Sequence, residues 1–157
     1  MTRRLSLVAV TPRMKLAMQS SRAALAQLAG VTLPDGWPEF PEAFSGEAET
    51  PAPWHGYLFV LGSQLVGNGG FVGAPDEVGS VEIGYEIAPA FRNNGYATEA
   101  AAGLVGLAYA NGAQTVVAHS LPWPNASTAV MQKLGMRRVA ADSTVWRWAV
   151  ERLRDPA

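Results

Sequence analysis

The stretch VEIGYEIAPAFRNNGYAT, residues 81–98, contains the change of period that decides how the chain is built. Its first half alternates, with Val81, Ile83, Tyr85 and Ile87 on one parity and Glu82, Gly84 and Glu86 on the other. That pattern predicts a strand over Ser80–Ile87 with one buried face. Pro89 ends it. From Gly95 to Ala110 the chain is rich in alanine, and Ala97, Ala101, Leu104, Val105 and Ala108 recur at helical spacing until Asn111-Gly112, which predicts a helix. Between the two, Arg92-Asn93-Asn94-Gly95 is a loop feeding a helix N-terminus, with the Thr98 hydroxyl in the first turn. The unpaired N–H groups and positive dipole end of such a turn suit an anion of the pyrophosphate kind. The Gly-x-Gly-x-x-Gly and Gly-Lys-Thr/Ser fingerprints are both missing, so neither a dinucleotide fold nor a P-loop is indicated.

Reading outward toward the C-terminus, Thr115–His119 is a short apolar strand. Asn125–Leu134 is a helix opened by an asparagine cap and closed by Gly135, and Met136–Ala140 and Thr144–Arg152 read as a final strand pair. Toward the N-terminus, Tyr57–Leu61 and Leu65–Val72 form a hairpin around Gly62-Ser63. Within its second strand Gly67, Gly69 and Gly70 announce a bulge or a close backbone approach. Pro34–Pro53 is dense in proline, glycine and acidic residues and holds Trp37, Phe40 and Phe44, with Trp54 just beyond. It reads as a long loop carrying one short helix near Pro38–Phe44, and its aromatics suit the wall of a cleft. Thr11-Pro12 starts one helix whose apolar face, Met14, Met18, Ser21, Leu25 and Leu28, runs to Gly30. Arg4–Val10 is the first strand. The expected fold is α/β: a single domain, residues 1–157, built on one mixed, mostly antiparallel sheet flanked by helices.

Composition narrows the function classes. A chain of 157 residues with 48% hydrophobic and 16% charged residues has a sizeable core. Its net charge of −1 gives no global field for nucleic acid or an anionic membrane. The absence of cysteine excludes thiolate nucleophiles and Cys-based zinc sites, and two histidines are too few for a multi-His metal centre. No metal site is expected. The first apolar run is too short for a secretory signal or a membrane span, so a cytoplasmic protein is the expectation. Charge is nevertheless segregated: residues 23–91 carry nine acidic groups and no Lys or Arg, while residues 92–157 carry seven basic against four acidic groups. Such a pattern suits a middle that meets a cation and a last part that meets an anion, although a solvated surface explains it equally.

Arg92-x-x-Gly95-x-Ala97, following Ile83-Gly84-Tyr85-x-Ile87-x-Pro89, resembles motif A of the GNAT superfamily of acetyl-CoA-dependent N-acetyltransferases. Asn125-Ala126-Ser127-Thr128-x-Val130-x-x-Lys133-Leu134-Gly135-Met136 is similar to the motif B of that superfamily. The likeness extends to the branch of ribosomal-protein-alanine acetyltransferases and covers about the last hundred residues in element order. It implies a splayed central pair of parallel strands, 80–87 and 115–119, holding the pantetheine arm of acetyl-CoA. By the resemblance that arm pairs with backbone groups of Ile87 and Ala88. The pyrophosphate sits on the amides of Asn93, Asn94, Gly95, Tyr96, Ala97 and Thr98 with Arg92 nearby, and Asn125 contacts the cofactor arm.

The implied reaction is acetyl transfer to a primary amine, of a small molecule or of a protein N-terminus, by direct attack in a ternary complex. An alkyl amine of pKa about 10.4 loses roughly 4.6 kcal/mol at pH 7 through its scarcity in the neutral form. A base therefore matters more than activation of the thioester. Glu82 is the base candidate by the resemblance, with His119 as a second. Ser127 is the candidate acid for the leaving thiolate, because the tyrosine that many relatives place in motif B is replaced here by Met131. Ser127 in a capping role and Glu82 simply facing solvent are the structural alternatives. Trp37, Trp54, Glu86, His119 and Trp123 are candidates for the acceptor site, whose mouth Glu39, Glu42, Glu47 and Glu49 would make favourable to cations. His55 reads as a loop-surface residue. A non-catalytic acyl-CoA-binding module is the alternative function, and pairing into a homodimer through strand edges is allowed.

Overall fold

The strand read from residues 80–87 forms over Ser80–Ile87 and lies at the middle of a seven-stranded sheet. The computed structural model describes residues 2–45 and 50–152. Glu47 and Glu49, two of the acidic residues expected at the acceptor mouth, lie outside the described residues. In chain order the elements are β1 (Ser6–Ala9), α1 (Pro12–Ser20), α2 (Arg22–Ala29), a 3₁₀ turn (Pro41–Phe44), β2 (Gly56–Leu61) and β3 (Gln64–Phe71). They continue with β4 (Ser80–Ile87), a second 3₁₀ turn (Pro89–Phe91), α3 (Tyr96–Ala110), β5 (Thr115–Ser120), α4 (Ala126–Lys133), β6 (Arg137–Ala141) and β7 (Trp146–Glu151). The sheet order is β1-β2-β3-β4-β5-β7-β6. Every pairing is antiparallel except β4–β5, which the α3 crossover makes parallel. The mixed, mostly antiparallel sheet with one central parallel pair is the architecture expected.

Strand alternation divides the core into two layers. Phe59, Val66, Val81, Ile83 and Ile87 pack under α3 and α4 with Ala101, Leu104 and Met131. Leu58, Val60 and Leu65 point the other way and pack with Leu25 of α2, Trp37 and Phe44.

The helix read as continuous from Pro12 to Gly30 is two helices. Ser21 breaks it with an extended backbone (φ −166°, ψ 158°), and its hydroxyl accepts from Ala24 N at 3.0 Å to cap α2. A serine that can satisfy the N-terminus of the next helix competes with continuation of the last one, while the apolar spacing passes through unaltered.

The glycines of β3 act as the sequence suggested. A Cβ on Gly67 would press into the Glu86 carbonyl and one on Gly69 into the Gly84 carbonyl, so bare backbone lets β3 and β4 lie this close. One extra residue, Val66, also sits in β3 where the register with β2 shifts between Phe59 and Val60.

Two observations on β4 position the site. Its register with β5 covers only Ser80–Glu82 against Thr115–Val117, so the strands part beyond Glu82 and leave five of its residues without a strand neighbour on that side among the described residues. Toward β3, Val72 N donates to Glu82 O and Ala88 N donates to Val66 O, both at 2.9 Å. Even-numbered main-chain groups of β4 therefore face β3, and alternation turns those of Ile83, Tyr85 and Ile87 toward the gap.

Candidate functional site

The gap leads to the start of α3. Asn93 (φ 64°) and Gly95 (φ 77°) are both left-handed and turn the backbone sharply into the helix. Asn94 braces the turn by donating from Nδ2 to the carbonyls of Phe91 and Arg92. Among the described residues, the amides of Asn93, Asn94, Gly95, Tyr96, Ala97 and Thr98 donate to no protein acceptor. Six open N–H donors at the positive end of a fifteen-residue helix form a cradle for an anion.

Two of the residues expected to serve a cofactor are placed otherwise. The Ala88 amide is spent on Val66 O, so the strand end offers the gap Ile87 alone. Arg92 turns back from the cradle: its Nε donates to Ile87 O at 3.0 Å and its Nη2 reaches Glu39 Oε2 at 3.3 Å. Asn125 caps α4, its Oδ1 accepting from Thr128 N at 3.1 Å while its Nδ2 donates to Trp123 O at 2.7 Å.

Glu82 and His119 meet where the parallel strands separate, with His119 Nδ1 2.8 Å from Glu82 Oε1. Both side chains are a little over one third exposed. The two base candidates thus stand in direct contact as one pair at the apex of the gap. On the opposite face of β4, the Tyr85 hydroxyl lies 3.2 Å from Ser127 Oγ. Burial pushes the Tyr85 phenol up, and the Ser127 hydrogen bond pulls it partly back, which keeps it a protonated donor at neutral pH. Ser127 is not the cap of α4, because Asn125 and Thr128 close a reciprocal capping box there. Met131, at the place of the missing motif-B tyrosine, is buried in the core.

A cavity of about 1060 Å³ opens on the α1 side of the sheet. Leu16 and Gln19 of α1, Phe40 and Phe44 of the long loop, Tyr57, Phe71, and Gly69 and Gly70 of β3 line it, together with Tyr85 and Glu86 of β4. Glu86 Oε2 accepts from the Glu39 main-chain N–H at 3.0 Å, while Oε1 is buried without a partner among the described residues. Burial pushes this carboxyl up, the N–H groups of Glu39 and Phe40 hold it down, and the charges of Glu39 and Glu42 push it up again. A partly desolvated carboxylate beside aromatic walls favours a cation in that space.

The tryptophans contribute less than their spacing suggested. Trp37 is buried, donates from Nε1 to Asn68 Oδ1 at 2.8 Å and packs edge-on against Phe44. It supports the wall from behind. Trp54 is buried against Phe71, and Trp123 is exposed beside α4; neither lines the cavity, nor does His119. His55, read as loop surface, does line it, with its ring tilted against Tyr57. Of the acidic mouth residues, Glu42 lines the cavity and Glu39 is engaged by Arg92. Tyr85 was hidden in the sequence by its place in the apolar parity of β4; a tyrosine there has to find a partner for its hydroxyl, and that was the available signal.

The first residues reach the cradle as well. Glu99, in the first turn of α3, accepts from Thr2 Oγ1, from the Arg4 and Leu5 amides, and from Arg4 Nε at 2.6 Å. Burial alone would raise its pKa, but these donors outweigh burial and hold it at about 2, below the usual 4.5. A depressed carboxyl stabilises the fold above its unfolded value and loses that contribution as pH falls through the folded one. Wild type should therefore lose its stability advantage over Glu99→Gln between about pH 4.5 and 2, read as converging urea midpoints.

Among the described residues, no group of three or more metal-ligating side chains occurs, and no helix is long and apolar enough to cross a membrane. Residues 11–137 match the family model described as the acetyltransferase (GNAT) domain. No curated protein matches in sequence. Among solved structures, an acetyltransferase from Agrobacterium tumefaciens is 21% identical, with a TM-score of 0.63 over 97% of this chain and 93% of that one. A GNAT-family acetyltransferase from Bacillus anthracis is 21% identical, with a TM-score of 0.64 over 96% of each chain. The RimL ribosomal L7/L12 alpha-N-protein acetyltransferase in complex with coenzyme A is 16% identical, with a TM-score of 0.68 over 96% of this chain and 95% of that one. At these identities the likenesses speak for the fold.

Proposed function

The chain belongs to the GNAT acetyltransferase family, and from that premise we propose that it acetylates a primary amine by direct transfer from acetyl-CoA. The observation that carries this reading is the continuity of open main-chain donors. The gap-facing groups of Ile83, Tyr85 and Ile87 lead into the six amides at Asn93–Thr98 that have no partner among the described residues. An amide-bearing pantetheine arm suits the first set and a diphosphate the second.

The acceptor enters from the cavity on the α1 side, its cationic form drawn by Glu86. The Glu82–His119 pair takes the amine proton, directly or through water. The neutral nitrogen attacks the acetyl carbon and the Ile87 N–H stabilises the oxyanion. As the intermediate collapses, the nitrogen gives its second proton to water, and the thiolate departs toward Ser127 and Tyr85, which protonate it and are reprotonated from water. The product is an amide and free coenzyme A. The acceptor is a small-molecule amine or a protein N-terminus, and the setting we infer is the cytoplasm.

The test is thiol release from acetyl-CoA with a panel of alkyl amines and short peptides, run beside calorimetry with coenzyme A. Heat on binding with amine-dependent thiol release supports the reading. Binding without release from any amine assigns a non-catalytic acyl-CoA module, and no binding removes the cradle from the account.

A further inference from the structure

Arg4 stands just outside the family motifs and reaches the anion cradle from the N-terminal end of the chain. Its Nη2 donates to Asn94 O at 3.1 Å, and its guanidinium lies 4.6 Å from the centre of the Tyr96 ring. That same Nη2 lies 3.4 Å from where a Cβ on Gly95 would stand. Its Nε is fixed by Glu99 at 2.6 Å. One side chain therefore touches three elements of the turn: the carbonyl of Asn94, the face of Tyr96 and the first-turn carboxylate.

The arrangement answers an electrostatic difficulty. Glu99 puts a negative charge in the first turn of the helix whose N-terminus faces the cradle, where it would repel a bound anion. Arg4 offsets that charge at contact distance. Two of its five N–H groups are used on Glu99 and Asn94, and the remaining three have no partner among the described residues. A guanidinium held in this way is already ordered, so it loses little freedom when it donates to a phosphate oxygen.

We propose that Arg4 is a positioning residue for the diphosphate of coenzyme A: it clamps the Asn94–Tyr96 turn so that the open amides converge, and it presents its free donors to the anion. This rests on the acetyl-CoA reading above and adds to it a residue from the N-terminal end of the chain. The sequence holds the cofactor's diphosphate from two sides, α3 supplying the amides and the approach to β1 supplying the charge.

The test compares coenzyme A with S-acetylpantetheine, which lacks the diphosphate and the nucleotide, on wild type, Arg4→Gln and Arg4→Lys. Dissociation constants come from calorimetry for coenzyme A and from NMR titration for the weaker fragment. Arg4→Gln should weaken coenzyme A about tenfold and leave S-acetylpantetheine within twofold. Arg4→Lys keeps the charge and loses the fork, so it should recover part of the affinity. An unchanged affinity for coenzyme A, or an equal loss for both ligands, would overturn the proposal. If Arg4→Gln does not fold, Arg4→Lys alone decides, with a two- to fivefold loss confined to coenzyme A as the supporting result and its absence as the refutation. Failure of wild type to bind coenzyme A would instead strike the functional reading itself.

Discussion

Glu82→Gln should lower kcat for amine acetylation about 100-fold at neutral pH while leaving the affinity for coenzyme A unchanged. The figure is the lower end of what a positioned base contributes, and it follows from the amine's chemistry. Near pH 7 an alkyl amine of pKa about 10.4 is almost wholly protonated, and a nucleophile has to be made from it at each turnover. Glutamine keeps the shape of the side chain, but it cannot hold the proton. The loss should shrink as pH rises, because more of the amine arrives neutral, and kcat/KM for the variant should climb about tenfold per pH unit below the amine pKa. His119→Gln should also lower kcat, and the double variant should be little worse than Glu82→Gln, because the two side chains stand in direct contact at 2.8 Å. A loss below threefold in Glu82→Gln, or one that does not diminish with pH, would move the base elsewhere; Glu86, with an unpartnered buried oxygen at the cavity wall, would be the next residue to replace.

What the sequence disclosed and what it withheld divide along the range of the interactions. Thr11-Pro12 starts α1 by a local cap, the Thr11 hydroxyl accepting from Met14 N, and the parity of Val81–Ile87 defines β4 to the residue. Gly67 and Gly69 announced a close strand approach that the Glu86 and Gly84 carbonyls supply. These are effects of one to four residues, or of a missing Cβ. Ser21 shows the limit of periodicity: spacing of apolar residues is the same in one helix or in two, and the break depends on which backbone groups a serine satisfies.

The site is harder to read because it is assembled across strands. Glu82 and His119 are 37 positions apart, and the parallel register that brings them together has no local signature. Trp37 looked like a cleft wall by composition, but burial of its ring and its bond to Asn68 were decided by the packing of α2 and β3. Arg4 and Glu99 are joined over 95 positions. The motif blocks located the cradle because it is one contiguous turn, while its electrostatic partner comes from the far end of the chain.

Ser127→Ala should reduce kcat by a further large factor, of order 30- to 100-fold, through loss of proton delivery to the departing thiolate. The alternative, that Ser127 merely finishes the first turn of α4, is weakened by the capping box that Asn125 and Thr128 already close. Ser127 has a different hydroxyl partner, Tyr85 at 3.2 Å. A serine that gives its proton to a thiolate is left as an alkoxide unless it is resupplied at once, and a phenol kept protonated by burial can do this. Tyr85→Phe should therefore also lower kcat, by about tenfold, even if the phenol never touches the acetyl group. In Tyr85→Phe/Ser127→Ala the effects should not add, because a resupply has no value once its recipient is gone. Acetyl donors with a more acidic thiol separate proton delivery from simple packing: their thiolates leave without help, so both single variants should approach wild-type rates with them. If instead the variants stay slow with such donors, or the double variant shows the full product of the two losses, Tyr85 and Ser127 act independently of the leaving group and the thiolate finds its proton in water.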